Sequence, residues 1–130
     1  MVVDKQTAKI ICTTLSNGKR HDFRLLKESN VRCKKETLVI VDTGYQGLQK
    51  LHAYTQLPKK KTRRNPLTCN DKKNNRELAS KRVLNENVIG KLKRFKIIAD
   101  RYRNRRKRFA LRFNLIAAIY NLEIENRTGF

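Results

Sequence analysis

The sequence predicts an α/β domain in which a parallel or mixed sheet is flanked by helices, and two observations support this fold class. Short β-branched runs separated by turn residues occupy the N-terminal part of the chain, as far as Val41. After Thr68, apolar residues instead recur at helical spacing. With 130 residues, the chain is long enough for one domain rather than two.

The first half of the chain predicts strands, turns and one short helix. Val2-Val3-Asp4 and Ile10 to Thr14 indicate two strands joined by a turn. Asp22 is a candidate N-cap for a helix that ends near Ser29. Residues 37–41 are apolar and mostly β-branched, which predicts a strand buried on both faces, as in a sheet covered by helices.

The second half of the chain predicts two longer helices. The first should begin near Thr68 or Asn70 and continue to about Phe95, since apolar residues recur there at broadly helical spacing. We expect the polar C-terminal end, from Glu125 onward, to be frayed. The final helix is predicted from one apolar stripe formed by Phe109, Phe113, Ile116 and Tyr120.

The charge of the chain is strongly one-sided. Its 32 Lys and Arg residues outnumber 11 Asp and Glu residues, so the net charge is +21 and the pI is about 10.6. Such a charge favours a polyanionic partner, which is nucleic acid, an anionic membrane or an acidic protein. The longest apolar run, Leu115 to Tyr120, is far too short to span a bilayer. Nucleic acid is therefore the expected partner, and no membrane is expected.

Basic segments provide the candidate DNA contacts. Clustered Lys and Arg side chains neutralise phosphates, which gives salt-dependent binding with little sequence information. The alternative interpretation is a solvated surface, and a nuclear-localisation role is a weaker one. The candidate residues are Lys59, Lys60, Lys61, Arg63, Arg64, Lys91, Lys93, Arg94, Arg101, Arg103, Arg105, Arg106, Lys107 and Arg108.

Asp42 and Glu86 are the candidate catalytic carboxylates. Asp42 follows the predicted strand 37–41, and ligands of open α/β folds bind at the carboxyl ends of strands. Glu86 lies in the predicted long helix and can face the sheet. The alternatives are a turn-forming Asp before Thr43-Gly44 and a solvated helical Glu. A strand-end Asp and a helical Glu suit phosphodiester cleavage with two Mg²⁺ ions, because Mg²⁺ prefers oxygen ligands.

Other reactive side chains have simpler interpretations. The pair His21-Asp22 admits an acid–base role, but helix capping by Asp22 is the favoured interpretation. His52 has no evident partner and is expected at the surface. The three cysteines are widely spaced without a CxxC pair, so we expect reduced thiols rather than a zinc site.

Five blocks of the sequence resemble insertion-sequence transposases of the DDE superfamily, in its Harbinger-like branch. The blocks occur in the family's order and extend over essentially the whole chain. They are NGKRHDFRL at residues 17–25, VDTGYQGL at 41–48, NENVIGKLKRF at 85–95, YRNRRKRF at 102–109 and RFNLIA at 112–117.

The resemblance implies a ribonuclease-H-like core, a mixed sheet with helices on both faces, followed by a basic helical C-terminus. It also implies an Asp-Asp-Glu triad that binds Mg²⁺ or Mn²⁺ and catalyses DNA cleavage and strand transfer at insertion-sequence ends. The family's second Asp falls on Asp42 and its Glu on Glu86. The block containing His21 and Asp22 is a recurrent family element rather than part of the triad.

The family's first catalytic Asp has no match in this chain. It lies on the first strand of the core, before the His-Asp block, whereas Asp4 lies in what resembles the second strand. We therefore expect residues 1–130 to be the C-terminal part of a catalytic domain. This part lacks the first strand and the N-terminal DNA-recognition region. Such a fragment is expected to be inactive alone, and cytoplasmic and nucleoid-associated in a bacterium.

Three functions remain open from the sequence. The first is a transposase fragment that binds DNA without cutting it alone. The second is a working nuclease or recombinase that recovers the missing Asp from another polypeptide or by frameshifted translation. The third is a non-catalytic basic nucleic-acid-binding protein. A homo-oligomer and a complex with full-length transposase are both open as assemblies.

Overall fold

A computed structural model of the chain describes residues 1–16, 18–100 and 108–129. Four short strands and four helices follow one another along these residues, with two 3₁₀ turns between the third and fourth strands. The strands are β1 (Val2–Val3), β2 (Ile10–Cys12), β3 (Val39–Ile40) and β4 (Thr55–Gln56). The helices are α1 (Asp22–Glu28), α2 (Cys69–Leu92), α3 (Lys96–Ala99) and α4 (Phe109–Thr128), and the 3₁₀ turns are Thr43–Tyr45 and Leu48–Lys50.

The chain divides into two compact units. The terminal unit contains Met1–Leu15 and Leu84–Phe130, and the central unit contains Ser16–Val83. The boundary falls within α2, so this helix belongs to both units.

In the terminal unit, β1 and β2 form an antiparallel hairpin, which confirms the predicted strand, turn and strand. Val2 pairs with Cys12, and Val3 pairs with Ile10. The Asp4 carboxylate organises the turn by accepting the Thr7 hydroxyl at 2.6 Å and the backbone N–H of Gln6 at 3.0 Å. These hydrogen bonds, that from Thr7 above all, lower the pKa of Asp4.

The core of the terminal unit lies between α2, α4 and the hairpin. Val88 and Leu92 are one helical turn apart on α2, and each is only 1% exposed. The predicted apolar stripe of the last helix is confirmed, because its members Ile116 and Tyr120 are buried in this core. The helix continues to Thr128, so the expected fraying after Glu125 is not observed. The buried core residues are Ile10, Val88, Leu92, Ile116, Ala117 and Tyr120.

A side-chain amide joins the hairpin to α4. The Asn121 Oδ1 atom accepts the backbone N–H of Ile10 at 2.8 Å, and its Nδ2 group donates to the Ile10 carbonyl at 2.8 Å. The Tyr120 hydroxyl donates to the Ala8 carbonyl at 3.2 Å. Asn121 thereby satisfies both backbone polar groups of a buried strand residue, which would be costly to leave unpaired.

In the central unit, α1 is capped by His21 rather than by Asp22, which corrects the prediction. The His21 Nδ1 atom accepts the backbone N–H of Phe23 at 3.4 Å. Asp22 is the first residue of the helix. Its negative charge is favourable there because the helix dipole places partial positive charge at the N-terminus.

The second sheet consists of β3 and β4, which are parallel. Val39 pairs with Thr55, and Ile40 pairs with Gln56. Both residues of β3 are half-buried, so the prediction of a strand buried on both faces was wrong. Among the described residues the sheets are two separate two-stranded pairs rather than one mixed sheet, which leaves β3 less covered than expected.

His52 has a partner that its sequence context did not indicate. Its Nε2 atom lies 2.7 Å from the carbonyl oxygen of Thr37, just before β3. Its own carbonyl accepts the hydroxyl of Thr55, the buried first residue of β4, at 2.6 Å. The residue therefore links the start of β3 to the start of β4, and it is half-buried rather than at the open surface.

Over the ranges that the structure describes, no helix combines the length and apolar character needed to cross a bilayer.

Candidate functional site

Asp42 follows β3 directly and begins the 3₁₀ turn Thr43–Tyr45. Its Oδ1 atom accepts the backbone N–H of Thr43 at 2.6 Å and lies 3.3 Å from the Thr43 hydroxyl. The turn-forming interpretation of this Asp is thus correct. This role leaves the Oδ2 atom of Asp42 open to a ligand. The side chain is 59% exposed, and its contacts with the described residues all involve Oδ1.

The third contact of Asp42 is an ion pair with Arg82 of α2. The Arg82 Nη1 atom lies 2.7 Å from Asp42 Oδ1. The backbone N–H of Thr43 is the largest cause of the lowered pKa of Asp42. Burial opposes it, and the charge of Arg82 together with side-chain hydrogen bonds from Thr43 and Arg82 lowers the pKa further. Asp42 is therefore an ionised, oriented oxygen donor at neutral pH.

Arg82 is only partly satisfied by this ion pair. Its side chain is 28% exposed, and its Nε atom is buried without a hydrogen-bond partner among the described residues. Arg82 lies one turn before Glu86 on α2. The ion pair joins positions forty residues apart in sequence, so no local pattern indicates it.

A second carboxylate lies against the same turn. A Cβ atom at Gly44 would lie 3.1 Å from Asp22 Oδ2, so the absence of a side chain makes room for this carboxylate. Burial raises the pKa of Tyr45, and the charges of Asp22 and Asp42 raise it further. The turn Thr43–Tyr45 is therefore flanked by negative charge from both α1 and the end of β3.

Gly47 completes the turn that follows Asp42. Its φ is +95°, a conformation that side chains disfavour. A Cβ atom there would also lie 3.4 Å from the Phe23 ring. Glycine at this position lets the chain turn closely over α1 and fixes the segment that carries Asp42.

Glu86 lies on α2 in the terminal unit, and its side chain is exposed to solvent. No hydrogen bond or ion pair is found between its carboxylate and the other described residues. Asp42 belongs to the central unit, so the two predicted catalytic carboxylates are carried by different units.

The described residues do not by themselves provide a complete metal site. Within residues 1–16, 18–100 and 108–129, no group of three or more His, Cys, Asp or Glu side chains is placed to hold a metal ion. The chemistry of Asp42 and Glu86 is nevertheless that of Mg²⁺ or Mn²⁺ ligands, since both are exposed carboxylates.

The basic segment Lys59–Arg64 of the central unit is held at its first residue by contacts with α2. The Asn75 side chain accepts the backbone N–H of Lys59 at 2.8 Å and donates to its carbonyl at 2.9 Å. The Lys59 ammonium lies 2.7 Å from Asp71 Oδ2. This hydrogen bond is the main cause that lowers the pKa of Asp71 to about 2, with further contributions from Thr68.

Asp71 also starts α2. Its carboxylate accepts the backbone N–H of Thr68 at 3.0 Å, while the Thr68 hydroxyl accepts the Asp71 N–H at 3.2 Å. This reciprocal arrangement is that of a capping box, with Asp in the place of the usual Glu or Gln. Beyond this anchor the exposed cations Lys60, Lys61, Arg63 and Arg64 form a surface that phosphates can reach.

In the terminal unit the predicted cations Lys91, Lys93 and Arg94 are exposed at the end of α2 and just after it. Arg94 forms an ion pair with Glu123 of α4, and its guanidinium carbon lies 4.7 Å from the centre of the Phe95 ring. The ion pair lowers the pKa of Glu123 and offsets part of the local positive charge. Lys91 and Lys93 are therefore better placed than Arg94 to neutralise phosphates.

The most basic stretch of the sequence lies mainly outside the described residues. This applies to five predicted DNA contacts, Arg101, Arg103, Arg105, Arg106 and Lys107. Arg108 is described, and it is exposed immediately before α4.

Comparisons with known proteins agree with the resemblance to DDE-type insertion-sequence transposases. A probable transposase for the insertion sequence element IS702 of Microchaete diplosiphon is 44% identical over 124 residues. That match covers 95% of this chain and 45% of the relative, so the chain spans less than half of the relative's length. No solved structure gives a match. Residues 1–122 match the family model described as the transposase DDE domain. Because this match covers nearly the whole sequence, the chain belongs to the transposase DDE domain family.

Proposed function

We propose that the chain acts in DNA transposition as part of a DDE transposase. In this proposal it binds the ends of an insertion sequence through its basic segments and contributes Asp42 and Glu86 to metal-dependent cleavage and strand transfer. The observation that carries the proposal is the family match over residues 1–122. The net charge of +21 supports a nucleic-acid partner independently of that match.

Asp42 is suited to its proposed role as a metal ligand. It is ionised and oriented by Thr43 and Arg82, while its Oδ2 atom makes no contact with the described residues. A divalent Mg²⁺ or Mn²⁺ ion would supply activation of the attacking oxygen and stabilisation of the leaving oxygen. The protein's part at this position is to hold the carboxylate ionised and fixed before the ion arrives.

Glu86 is the second proposed ligand. Its exposed carboxylate is free of ion pairs with the described residues, so binding a cation would break no existing contact. Its position one turn after Arg82 on α2 gives it a rigid helical backbone. The proposal assigns it a direct role in cleavage rather than in DNA binding.

Several finer features belong to the same proposal. The chain corresponds to the C-terminal part of the catalytic domain, in the Harbinger-like branch, and its strands belong to a ribonuclease-H-like core in the complete enzyme. By itself the chain binds DNA but does not cut it, because the family triad has three carboxylates and only two of its positions are matched here. It works in a bacterial cytoplasm on nucleoid DNA, as a homo-oligomer or together with full-length transposase.

Incubation of the purified chain with supercoiled plasmid and Mg²⁺ or Mn²⁺ tests whether the chain alone binds DNA without cutting it. The Asp42→Asn and Glu86→Gln variants serve as controls, and DNA binding is measured in the same buffers. The proposal predicts salt-sensitive binding by all three proteins and no nicking above the level of the two variants. Nicking that requires Glu86 would show that the chain completes a cleavage site alone, and absence of DNA binding would contradict the function.

A non-catalytic basic nucleic-acid-binding protein is the second candidate. It is favoured by the lack of a three-ligand group among the described residues, together with the high positive charge. Competition between duplex DNA and RNA separates the two candidates, since a transposase should prefer the DNA duplex.

A further inference from the structure

Helix α4 carries a second apolar face that no described residue covers. Leu111, Leu115 and Leu122 are 70%, 60% and 57% exposed, and Ile119 is 37% exposed. Together with exposed Ala118 they recur at steps of three and four, so they form one line along the helix. We call these five residues the outer stripe.

The outer stripe is separate from the face of α4 that packs in the core. That face is formed by residues such as Phe113, Ile116 and Tyr120. The helix is therefore apolar on two sides, and helices of this kind are normally buried on both. The stripe contains no charged residue, although 33% of the sequence is charged. A continuous line of exposed apolar side chains, four of the five large, indicates an interaction surface on so polar a chain.

The hairpin of the same unit is also incompletely covered. Ile10 packs in the core, whereas its neighbour Ile11 points to the opposite face of β2 and is 66% exposed. Within the described residues, β1 pairs only with β2, so the sheet has two strands. A helix and a hairpin that each bury one apolar face and expose another are typical of part of a larger core.

Two observations indicate which partner fits the outer stripe. In the absence of DNA, a second copy of this chain is disfavoured at this face because each copy carries a net charge of +21. The curated relative has more than half of its length outside the matched region, so in that protein much additional chain accompanies the same helix. We propose that the outer stripe is the docking face for the portion of a DDE transposase chain that lies outside the region matched here.

The test uses the whole 130-residue chain and a defined binding probe. The probe is the part of the Microchaete diplosiphon transposase outside the 124 matched residues, produced as a separate polypeptide. Sedimentation velocity should detect a 1:1 complex of the two in buffer without DNA or metal. The double variant Leu115→Glu, Leu122→Glu should bind the probe about tenfold more weakly or worse, because it places charge in an apolar contact.

A matched control separates the stripe from general apolar exposure. Leu51, in the central unit, is 65% exposed, so Leu51→Glu introduces the same change at a similarly exposed leucine. This variant should bind the probe as the unchanged chain does. All variants should keep the circular dichroism spectrum and melting temperature of the unchanged chain. The double variant Leu115→Ser, Leu122→Ser is a second, less disruptive polar replacement of the same two leucines.

Three results would overturn the proposal. They are failure of the unchanged chain to bind the probe, equal binding by the double variant, and self-association of the chain that the double variant abolishes. The last would assign the stripe to a second copy. Because the assay contains neither DNA nor metal, its failure would leave the proposed cleavage and DNA-binding roles to their own tests.

Discussion

The Arg82 guanidinium lies 2.7 Å from Asp42 Oδ1 and so ties α2 to the turn that follows β3. The Thr43 backbone N–H contacts the same carboxylate oxygen, at 2.6 Å. Helix and strand end are thus joined at the residue that the family resemblance assigns to catalysis. The other carboxylate oxygen makes no contact with the described residues and can bind a ligand without disturbing the turn.

Replacement of Arg82 by Gln should raise the pKa of Asp42. The folded-state pKa of Asp42 is below its ordinary value of 3.8. The ionised carboxylate therefore stabilises the fold fully above pH 3.8, and this stabilisation is lost as the pH falls through the folded-state pKa. The pKa in the variant should still lie below the ordinary value, since the Thr43 N–H remains the larger cause. The unfolding free energy should change by about 1 kcal/mol or less, because the pair is largely exposed.

NMR titration of the Asp42 carboxyl carbon measures this change. Lys81→Gln is the matched control, because Lys81 carries the same charge on the same helix but pairs with Glu77 at 2.9 Å. An Asp42 titration that is identical in the Arg82→Gln variant and in the unchanged chain would contradict the assigned ion pair.

The contacts of Asp71 that hold the start of the basic segment Lys59–Arg64 should be lost only in strong acid. Asp71 has a pKa of about 2 against an ordinary value of 3.8, so its contacts with Lys59 and Thr68 are complete above pH 3.8. They should be lost as the pH falls through the folded-state pKa of about 2. At neutral pH, Asp71→Asn should loosen the segment, although Asn75 still holds Lys59, and should accelerate trypsin cleavage after the cations between Lys59 and Arg64. Glu77→Gln, on the same helix, should leave that cleavage unchanged.

Replacement of Asn121 by Ala should destabilise the terminal unit. It would leave the N–H and carbonyl of Ile10 without their partner, at a cost of about 1–3 kcal/mol in unfolding free energy. Denaturant unfolding measures this cost. Asn126→Ala, at an exposed position of the same helix, should have little effect. Equal stability of the two variants would exclude the Asn121 bridge as a stabilising contact.

Core and stripe leucines should respond differently to truncation. Leu92 is 1% exposed, and its replacement by Ala should cost about 2–5 kcal/mol. Leu111 is 70% exposed, so Leu111→Ala should change the stability of the isolated chain by about 0.5 kcal/mol or less. A large loss from Leu111→Ala would mean that the outer stripe is already packed within this chain.

Periodicity in the sequence was sufficient to predict the long elements. The apolar spacing of residues 78–95 and 109–120 predicted α2 and α4, because helical residues three and four apart share a face. The β-branched runs predicted the hairpin and the strand before Asp42. Burial of β3 was overestimated, since a run of apolar residues does not show how many strands and helices will cover it.

The long-range contacts of the fold, including the one that orients Asp42, could not be predicted in the same way. The pairs Asp42–Arg82 and Ile10–Asn121 join residues far apart in sequence, and no local pattern indicates them. The cap of α1 was misassigned to Asp22 because Asp is the commoner capping residue, whereas His21 supplies the acceptor here. The assignment of Asp42 and Glu86 rests on the family resemblance and remains a prediction.

The salt dependence of DNA binding tests the central claim most directly. The exposed cations Lys60, Lys61, Arg63 and Arg64 are replaced by Gln in one variant, and the exposed Lys5, Lys34, Lys35 and Lys50 are replaced in a control of equal net charge. Affinity for a DNA duplex is then measured over a series of salt concentrations. The account predicts that the slope of log K against log salt becomes shallower by about 3–4 in the first variant, whereas the control retains the original slope. Equal slopes for the two variants, or no binding by the unchanged chain, would contradict it.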